Sequence, residues 1–229
     1  LAATEALQES NPMLGLRGVR LGLLRHDLYA MQARAIAQAV VTATIAGCRP
    51  RLGVMVPLVE WGTELERCRE TIVEAMADEG LVENADFHIG TMIELPRACL
   101  AAGELAGRAA FFSFGTNDLT QTSLGLSRDD VEGTVIRDYV DHGLIAASPF
   151  ATLDPVGVGE LITTAIERGR SVRPELPIGV CGEHGGDPDS IDWFHGSGVD
   201  YVSCSPYRVA GARIAAAQAA IRATSAEAP

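Results

Sequence analysis

The chain has 229 residues, 47% of them hydrophobic, 21% charged and 5% aromatic; disordered chains do not reach that apolar share, and it suffices for one sizeable core. Eighteen Lys and Arg stand against 30 Asp and Glu, a net charge of −12, which repels phosphate backbones and anionic lipid and so argues against nucleic acid or a membrane as partner. Five cysteines, an odd number without a CxxC pair, are not the framework of a small secreted domain and point to a reducing compartment, the cytoplasm by default.

The opening LAATEALQES has no initiator Met, no positive n-region and no apolar h-region, so no signal peptide is expected and the chain reads as a piece of something longer. The longest apolar stretches are broken by charge or Gly well short of the roughly 18 to 20 residues of a membrane span. Short β-rich runs then alternate with helical patterns about six times, the signature of parallel α/β organisation. MLGLRGVRL (13–21) is a first, weak strand candidate, followed by the helix HDLYAMQARAIAQAVVTAT. LGVMVPLV (52–59) is a continuous apolar run, and in the segment after it Leu65, Cys68, Ile72, Ala75 and Met76 recur at helical spacing. HIGTMIE (88–94) leads into Pro96, a favoured first-turn residue, and the helix PRACLAAGELA. AFFSF (110–114) runs into GTNDLTQ, PIGVC (177–181) into GEHGGDPDSIDWFHGSG, and VDYVS (199–203) into an Ala-rich final helix. Arg128 to Pro155 fits no strand and reads as a long loop or short helices. Runs such as LGVMV and FFSF are apolar on both alternating faces, as expected of parallel strands covered on both sides. A doubly wound open sheet and a βα barrel both accommodate this pattern. Six units are two short of a closed eight-stranded barrel, which typically takes about 250 residues.

In either architecture reactive groups gather at the carboxyl ends of the strands. Arg17, Glu94, Asn117, Asp118 and Cys181 all fall there. Two carboxylates from separate strand ends suit Mg²⁺, which takes hard oxygen ligands and keeps several waters; equally, Glu94 could cap the next helix and Asp118 be a solvated loop residue. GTND (115–118) presents backbone N–H groups, a hydroxyl and an amide to an anion at a helix N-terminus, or is an ordinary βα turn. Cys181 sits in a polar, Gly-rich strand terminus, whereas Cys48, Cys68 and Cys99 lie in or beside helices. A positioned thiol can carry a proton, and the nearby His184 raises a Cys–His nucleophile pair as a rival. Arg17 could clamp an anion bidentately.

Taken together, NPMLGLRGVRL, MVPLVEWGTE, IGTMIELPRA, FFSFGTNDLTQ, the following SRDD, PIGVCGEHGGDP and DYVSCSPYRVAGARIAAAQAA, in this order from about Asn11 to Ala220, resemble the C-terminal domain of the pyruvate, phosphate dikinase family of phosphoenolpyruvate-utilising enzymes. Phosphoenolpyruvate synthase and enzyme I of the sugar phosphotransferase system share the GTND-like loop but do not usually carry CGEHGGDP with YVSCSP. The resemblance implies a (β/α)8 TIM-type barrel that binds phosphoenolpyruvate or pyruvate, with residues 1–229 forming one partial barrel domain of about six units. A segment with another substrate-binding Arg, the phosphohistidine swivelling domain and the ATP-grasp domain have no counterpart here.

The implied activity is Mg²⁺-dependent phosphoryl transfer between a phosphohistidine and the pyruvate enolate, with the phosphohistidine domain as partner and cytoplasmic location. By the same resemblance Arg17 binds the substrate's phosphate or carboxylate, and Glu94 and Asp118 ligate Mg²⁺ beside the substrate. Gly115, Thr116 and Asn117 hold the pyruvate or phosphoenolpyruvate anion, and Cys181 donates and accepts the proton at the methylene carbon. Leu16 stands where family members usually carry His. A catalytically silent module of the same fold, or a Mg²⁺-dependent 2-oxo acid lyase, is the alternative. Unpaired strand edges make a homodimer plausible.

Overall fold

The structure, a computed structural model, describes Glu9 and residues 11–226. The chain opens with a 3-10 turn (Pro12–Leu14) and helices α1 (Gly18–Leu24) and α2 (His26–Ile45). There follow β1 (Leu52–Val56), α3 (Gly62–Ala77), β2 (Phe87–Ile93), α4 (Pro96–Leu100), α5 (Ala102–Ala106), β3 (Phe112–Gly115) and α6 (Thr116–Leu124). Short helices α7 (Arg128–Val131) and α8 (Val135–Asp141) precede α9 (Val158–Val172) and β4 (Ile178–Cys181). A 3-10 segment (Glu183–Gly186), α10 (Pro188–Ser197), β5 (Tyr201–Val202), a 3-10 turn (Pro206–Arg208) and α11 (Val209–Ala226) complete it.

All strand pairs are parallel and the sheet order is β1-β2-β3-β4-β5. A doubly wound sheet reverses its strand order at a switch point; this one does not, and successive right-handed crossovers in one direction curl a sheet toward a barrel. The sheet is an open arc of such units. It has five strands among the described residues where the sequence predicts six, because residues 13–21 form the turn and α1 instead. Gly18 has φ +55°, which breaks an extended run, and the amide of Val19 bonds the carbonyl of Pro57 at 3.0 Å in place of a ladder partner. The predicted helix over PRACLAAGELA is two short ones, while the segment from Arg128 to Pro155 holds short helices, as expected.

The register puts Val54 and Val56, Ile89 and Ile93, Phe112 and Phe114, and Ile178 and Val180 on one face. These pack against Leu65, Ile72 and Met76 of α3, Leu105 of α5, and Ile162 and Ile166 of α9 in one core. At roughly 25 cal/mol per Å² of apolar area buried, this face is the main source of stability. The alternate residues face the other way: Gly53 and Met55, Gly90 and Met92, Ser113 and Gly115, Gly179 and Cys181, and Tyr201. The expectation of strands apolar on both sides is therefore corrected. The second face is carpeted with glycine, and rings lie on it: a Cβ on Gly53 would come 3.2 Å from the Phe111 ring, and one on Gly179 would overlap the ring of Tyr201.

Helix ends follow local chemistry. Glu64 reaches back to the amides of Trp61 and Glu60 at 3.1 and 2.8 Å, satisfying the start of α3. Asp187 caps α10 by accepting from the Ser190 amide at 2.9 Å, Pro188 takes the first helical position, and Gly198 closes the helix at φ +84°. This is what GDPDS after β4 encodes.

Candidate active site

Strand direction brings the carboxyl ends of β1 to β4 to one rim. Glu94 leaves β2 just before α4 and is 3% exposed. It caps no helix: α4 starts from Leu95 without a side-chain cap. Its Oε1 accepts from the amide of Leu58 at 2.7 Å. Leu58 follows β1 with φ +59°, a left-handed conformation that costs a non-glycine residue of order 1 kcal/mol and so must be held by its surroundings. The surroundings are visible. Leu58 packs against Gly18, where an added Cβ would stand 3.0 Å away, and Val19 is bonded to Pro57. One strained turn thus positions Glu94 and docks the start of α1, where Arg17 sits.

Asp118 lies in the first turn of α6. It is not a solvated loop carboxylate: the guanidinium of Arg17 meets both of its oxygens, Nη1 to Oδ1 at 3.1 Å and Nη2 to Oδ2 at 3.4 Å. Burial first, and then the facing charge of Asp118, push the Glu94 carboxyl up to about 7, while the Leu58 amide and Arg17 pull the other way. The two carboxyls are mutual neighbours, contributed by successive strands. Gly115 makes this approach possible, since a Cβ there would overlap Oε2 of Glu94 and come 2.6 Å from Sδ of Met92.

Thr116 is fully buried. Its hydroxyl lies 3.1 Å from the carbonyl of Cys181 and 2.8 Å from Nδ1 of His184, and Oδ1 of Asn117 accepts from the Glu183 amide at 3.1 Å. These polar side chains bind the loop after β4, so what the turn offers a ligand is the backbone N–H groups of the first turn of α6, which have no intrahelical acceptor.

Cys181 ends β4 on the glycine-rich face. Burial raises its thiol pKa, a hydrogen bond with Ser113 opposes this, and the charges of Glu94 and Asp118 raise it further. The thiol therefore shares its face with the carboxylate pair. A cavity of about 270 Å³ adjoins it, lined by Cys181, Glu183, Ser203 and Arg208 among others. The other thiols differ: burial drives Cys68 to about 11 and Cys99 to about 12, inert fillers. His184 is fully buried with Nδ1 on Thr116 and Nε2 on the carbonyl of Pro149 at 2.9 Å. Both ring nitrogens are committed elsewhere, which removes the Cys–His nucleophile pair.

The structure thus brings Arg17, Glu94, Gly115, Asp118 and Cys181 together, with Thr116 and Asn117 behind them. Sequence reasoning misses Ser113 and Leu58. Ser113 carries a usable signal, a lone hydroxyl in an aromatic strand two residues before Gly115; the left-handed turn at Leu58 carries none. A larger cavity, about 900 Å³, opens at the opposite strand ends around Arg51, His88, Phe111, Arg173 and Tyr201, away from the carboxylate pair.

The donors fit Mg²⁺. They are hard oxygens, one of them a buried carboxylate that resists ionising without a nearby cation; in the metal-free protein Arg17 pairs with Asp118 and offsets only part of the penalty on Glu94. Among the described residues no group of three or more His, Cys, Asp or Glu could form a closed cage, and a carboxylate pair that leaves positions open for water and substrate oxygens is how Mg²⁺ is usually held.

A family model described as "PEP-utilising enzyme, PEP-binding domain" matches residues 1–221, and the chain belongs to that family. "Pyruvate, phosphate dikinase 1, chloroplastic" of Oryza sativa subsp. japonica is 50% identical over 222 residues, 95% of this chain and 23% of its own length. "Pyruvate, phosphate dikinase 2" of Zea mays is 50% identical over 222 residues, covering 95% of this chain and 25% of its own. "Pyruvate, phosphate dikinase 1, chloroplastic" of Arabidopsis thaliana is 48% identical over 225 residues, 96% and 23% of the two chains. The chain spans about a quarter of the length of these relatives. Among solved structures, "Citrate lyase beta subunit complexed with oxaloacetate and magnesium from M. tuberculosis" has a TM-score of 0.44 and 16% identity, covering 72% of this chain and 61% of that one, a likeness too slight to argue from.

Proposed function

We propose that this chain is the pyruvate- and phosphoenolpyruvate-binding catalytic part of a dikinase-type phosphotransferase, in which a phosphoryl group passes between a phosphohistidine on a separate domain and the enolate of pyruvate. Residues 1–229 read as one partial barrel domain within that larger enzyme. The observation that carries the reading is the convergence of a carboxylate pair, an arginine and a thiol at one rim of the sheet. Glu94 and Asp118 would hold Mg²⁺, which when bound supplies Lewis-acid neutralisation of charge developing on a substrate oxygen.

The chain's own groups account for the rest. Arg17 can leave Asp118 for an anionic substrate group at modest cost, because its own side chain is 41% exposed and a part-exposed pair is worth about 1 kcal/mol. First-turn amides of α6, from Thr116 to Asp118, face the substrate carboxylate. Cys181 as thiolate removes a methyl proton from pyruvate, the resulting enolate oxygen bonds to phosphorus, and the phosphorus–nitrogen bond to histidine breaks. In reverse the thiol returns the proton to carbon. Ser113 holds the thiol and stabilises its charged form.

All five cysteines are free, which supports a reducing compartment such as the cytoplasm; two of the three plant relatives described above are named chloroplastic. No helix among the described residues is long and apolar enough to cross a membrane. The open outer edges of β1 and β5 support association with further βα units or a second copy.

Calorimetry tests the reading. Oxalate, an enolate mimic, should bind only when Mg²⁺ is present and lose its heat in Glu94→Gln and Asp118→Asn; no oxalate heat in the Mg²⁺-loaded native chain would overturn it. In the parent enzyme, Cys181→Ala should abolish exchange of pyruvate methyl protons with solvent.

A further inference from the structure

His184 belongs to neither the metal pair nor the thiol, yet it is fully buried in the loop that carries Cys181. Three contacts form a chain through it: Pro149 O to Nε2 at 2.9 Å, Nδ1 to the Thr116 hydroxyl at 2.8 Å, and that hydroxyl to the carbonyl of Cys181 at 3.1 Å. The two ends are carbonyl oxygens, which only accept. A neutral imidazole has one N–H and threonine one O–H, so two hydrogens must serve three contacts. With the proton on Nε2, Pro149 is satisfied, the hydroxyl must donate to Nδ1, and the Cys181 carbonyl loses its partner. With the proton on Nδ1, the lone pairs of Nε2 and Pro149 O oppose each other. Only the imidazolium fills all three: Nδ1–H donates to the hydroxyl, which turns its own hydrogen to Cys181.

What hangs on the last contact is the peptide unit joining Cys181 to Gly182. Gly182 has φ +111°, and a Cβ there would stand 2.7 Å from the Thr116 hydroxyl and 2.9 Å from Oδ1 of Asn117. That peptide is therefore held by α6 on one side and followed on the other by a glycine in a conformation that other residues rarely adopt, whose next amide, that of Glu183, is bonded to Asn117 at 3.1 Å.

We propose that His184 is a positioning residue whose proton decides, through the Thr116 hydroxyl, whether the Cys181–Gly182 peptide is clamped to the start of α6 or released. The proposal rests on the reading of Cys181 as the proton carrier and adds a regulation to it. The groups facing the imidazole set where this happens. Asp187 at the α10 cap and Glu183 on the same segment favour the proton, with Arg208 beside α11 paired to Glu183 at 3.4 Å. Burial opposes it most, and Arg128 on α7 adds to that, so the ring titrates below its ordinary 6.5. At neutral pH the peptide is released; it becomes clamped as falling pH protonates the ring.

The test uses the ¹⁵N-labelled full chain from pH 8 down to the lowest pH at which it stays folded, without substrate or metal. Nδ1 of His184 should gain its proton at a midpoint below the ordinary value. Protection of the Gly182 amide against hydrogen exchange, corrected for intrinsic pH dependence, should rise about 2- to 10-fold at the same midpoint, the Boltzmann factor of one net hydrogen bond. Thr116→Ser should keep the step, while Thr116→Val and His184→Gln should lose it. A step that survives Thr116→Val, Gly182 protection that stays flat where His184 titrates, or a ring that does not titrate in this range would each overturn the proposal. If the valine variant does not fold, the two curves of the native chain still decide by whether their midpoints coincide. Loss of the Cys181 role itself would show separately, as pyruvate methyl exchange that persists in Cys181→Ala.

Discussion

Replacing Glu94 with Gln should stabilise the metal-free protein at pH 8 and leave it no more stable near pH 4.5. The Glu94 carboxyl titrates at about 7 against an ordinary 4.5, raised first by burial and then by Asp118. Between those values the folded protein still binds a proton that the unfolded chain has released. Stability therefore falls as pH rises from about 4.5 to about 7 and stays lowered above that. At 1.36 kcal/mol per pH unit the loss is about 3 kcal/mol. Glutamine keeps a carbonyl to accept from the Leu58 amide and carries no charge, so it recovers most of this, and for a chain of this size each kcal/mol moves Tm by roughly 2 to 4 °C. Thermal melts of both proteins from pH 4.5 to 8.5 in the absence of divalent ions should diverge with increasing pH. A difference that does not change with pH would refute the reasoning, since it would mean that the carboxylate's charge is already compensated in the folded state. Saturating Mg²⁺ should raise the Tm of the native protein by mass action and that of Glu94→Gln far less.

The same geometry makes further claims. Gly115→Ala forces a Cβ into the Glu94 carboxylate and Met92, and should cost roughly 1 to 3 kcal/mol by overpacking, read in denaturant melts, with a parallel loss of Mg²⁺ affinity; a neutral outcome would mean that the carboxylate can move aside. Arg17→Met removes the cation that competes for Asp118. It should leave Tm nearly unchanged, as a part-exposed pair is worth at most about 1 kcal/mol, and should raise Mg²⁺ affinity up to about fivefold while abolishing oxalate binding; weaker Mg²⁺ binding would contradict the placeholder role. Ser113→Ala removes the one contact that favours the Cys181 thiolate, so alkylation of Cys181 at pH 8, followed by peptide-resolved mass spectrometry, should slow; faster alkylation would show that Ser113 only shields the thiol.

The sequence by itself determined the parallel α/β class, because contiguous apolar runs such as LGVMV and FFSF and the 3.6-residue spacing in α3 are local consequences of what each segment buries. It also placed Glu94, Gly115, Asp118 and Cys181 at strand ends, since βα turns need glycine and polar residues whatever the partner strand. The sequence did not determine that residues 13–21 turn into a helix: an apolar run of that length suits either structure, and the choice lay with Pro57 and Leu58, more than thirty residues away. Nor could it show that the second sheet face is mostly glycine, with Met55, Met92, Ser113 and Cys181, under the rings of Phe111 and Tyr201, because which alternate residue points inward depends on register across strands. The tertiary structure alone decided that Arg17 pairs with Asp118, that Asp118 faces Glu94, and that Thr116 and His184 serve the backbone of Cys181. Those are contacts between residues 24 to 101 positions apart, and their energies arise from burial and proximity, which no local pattern encodes.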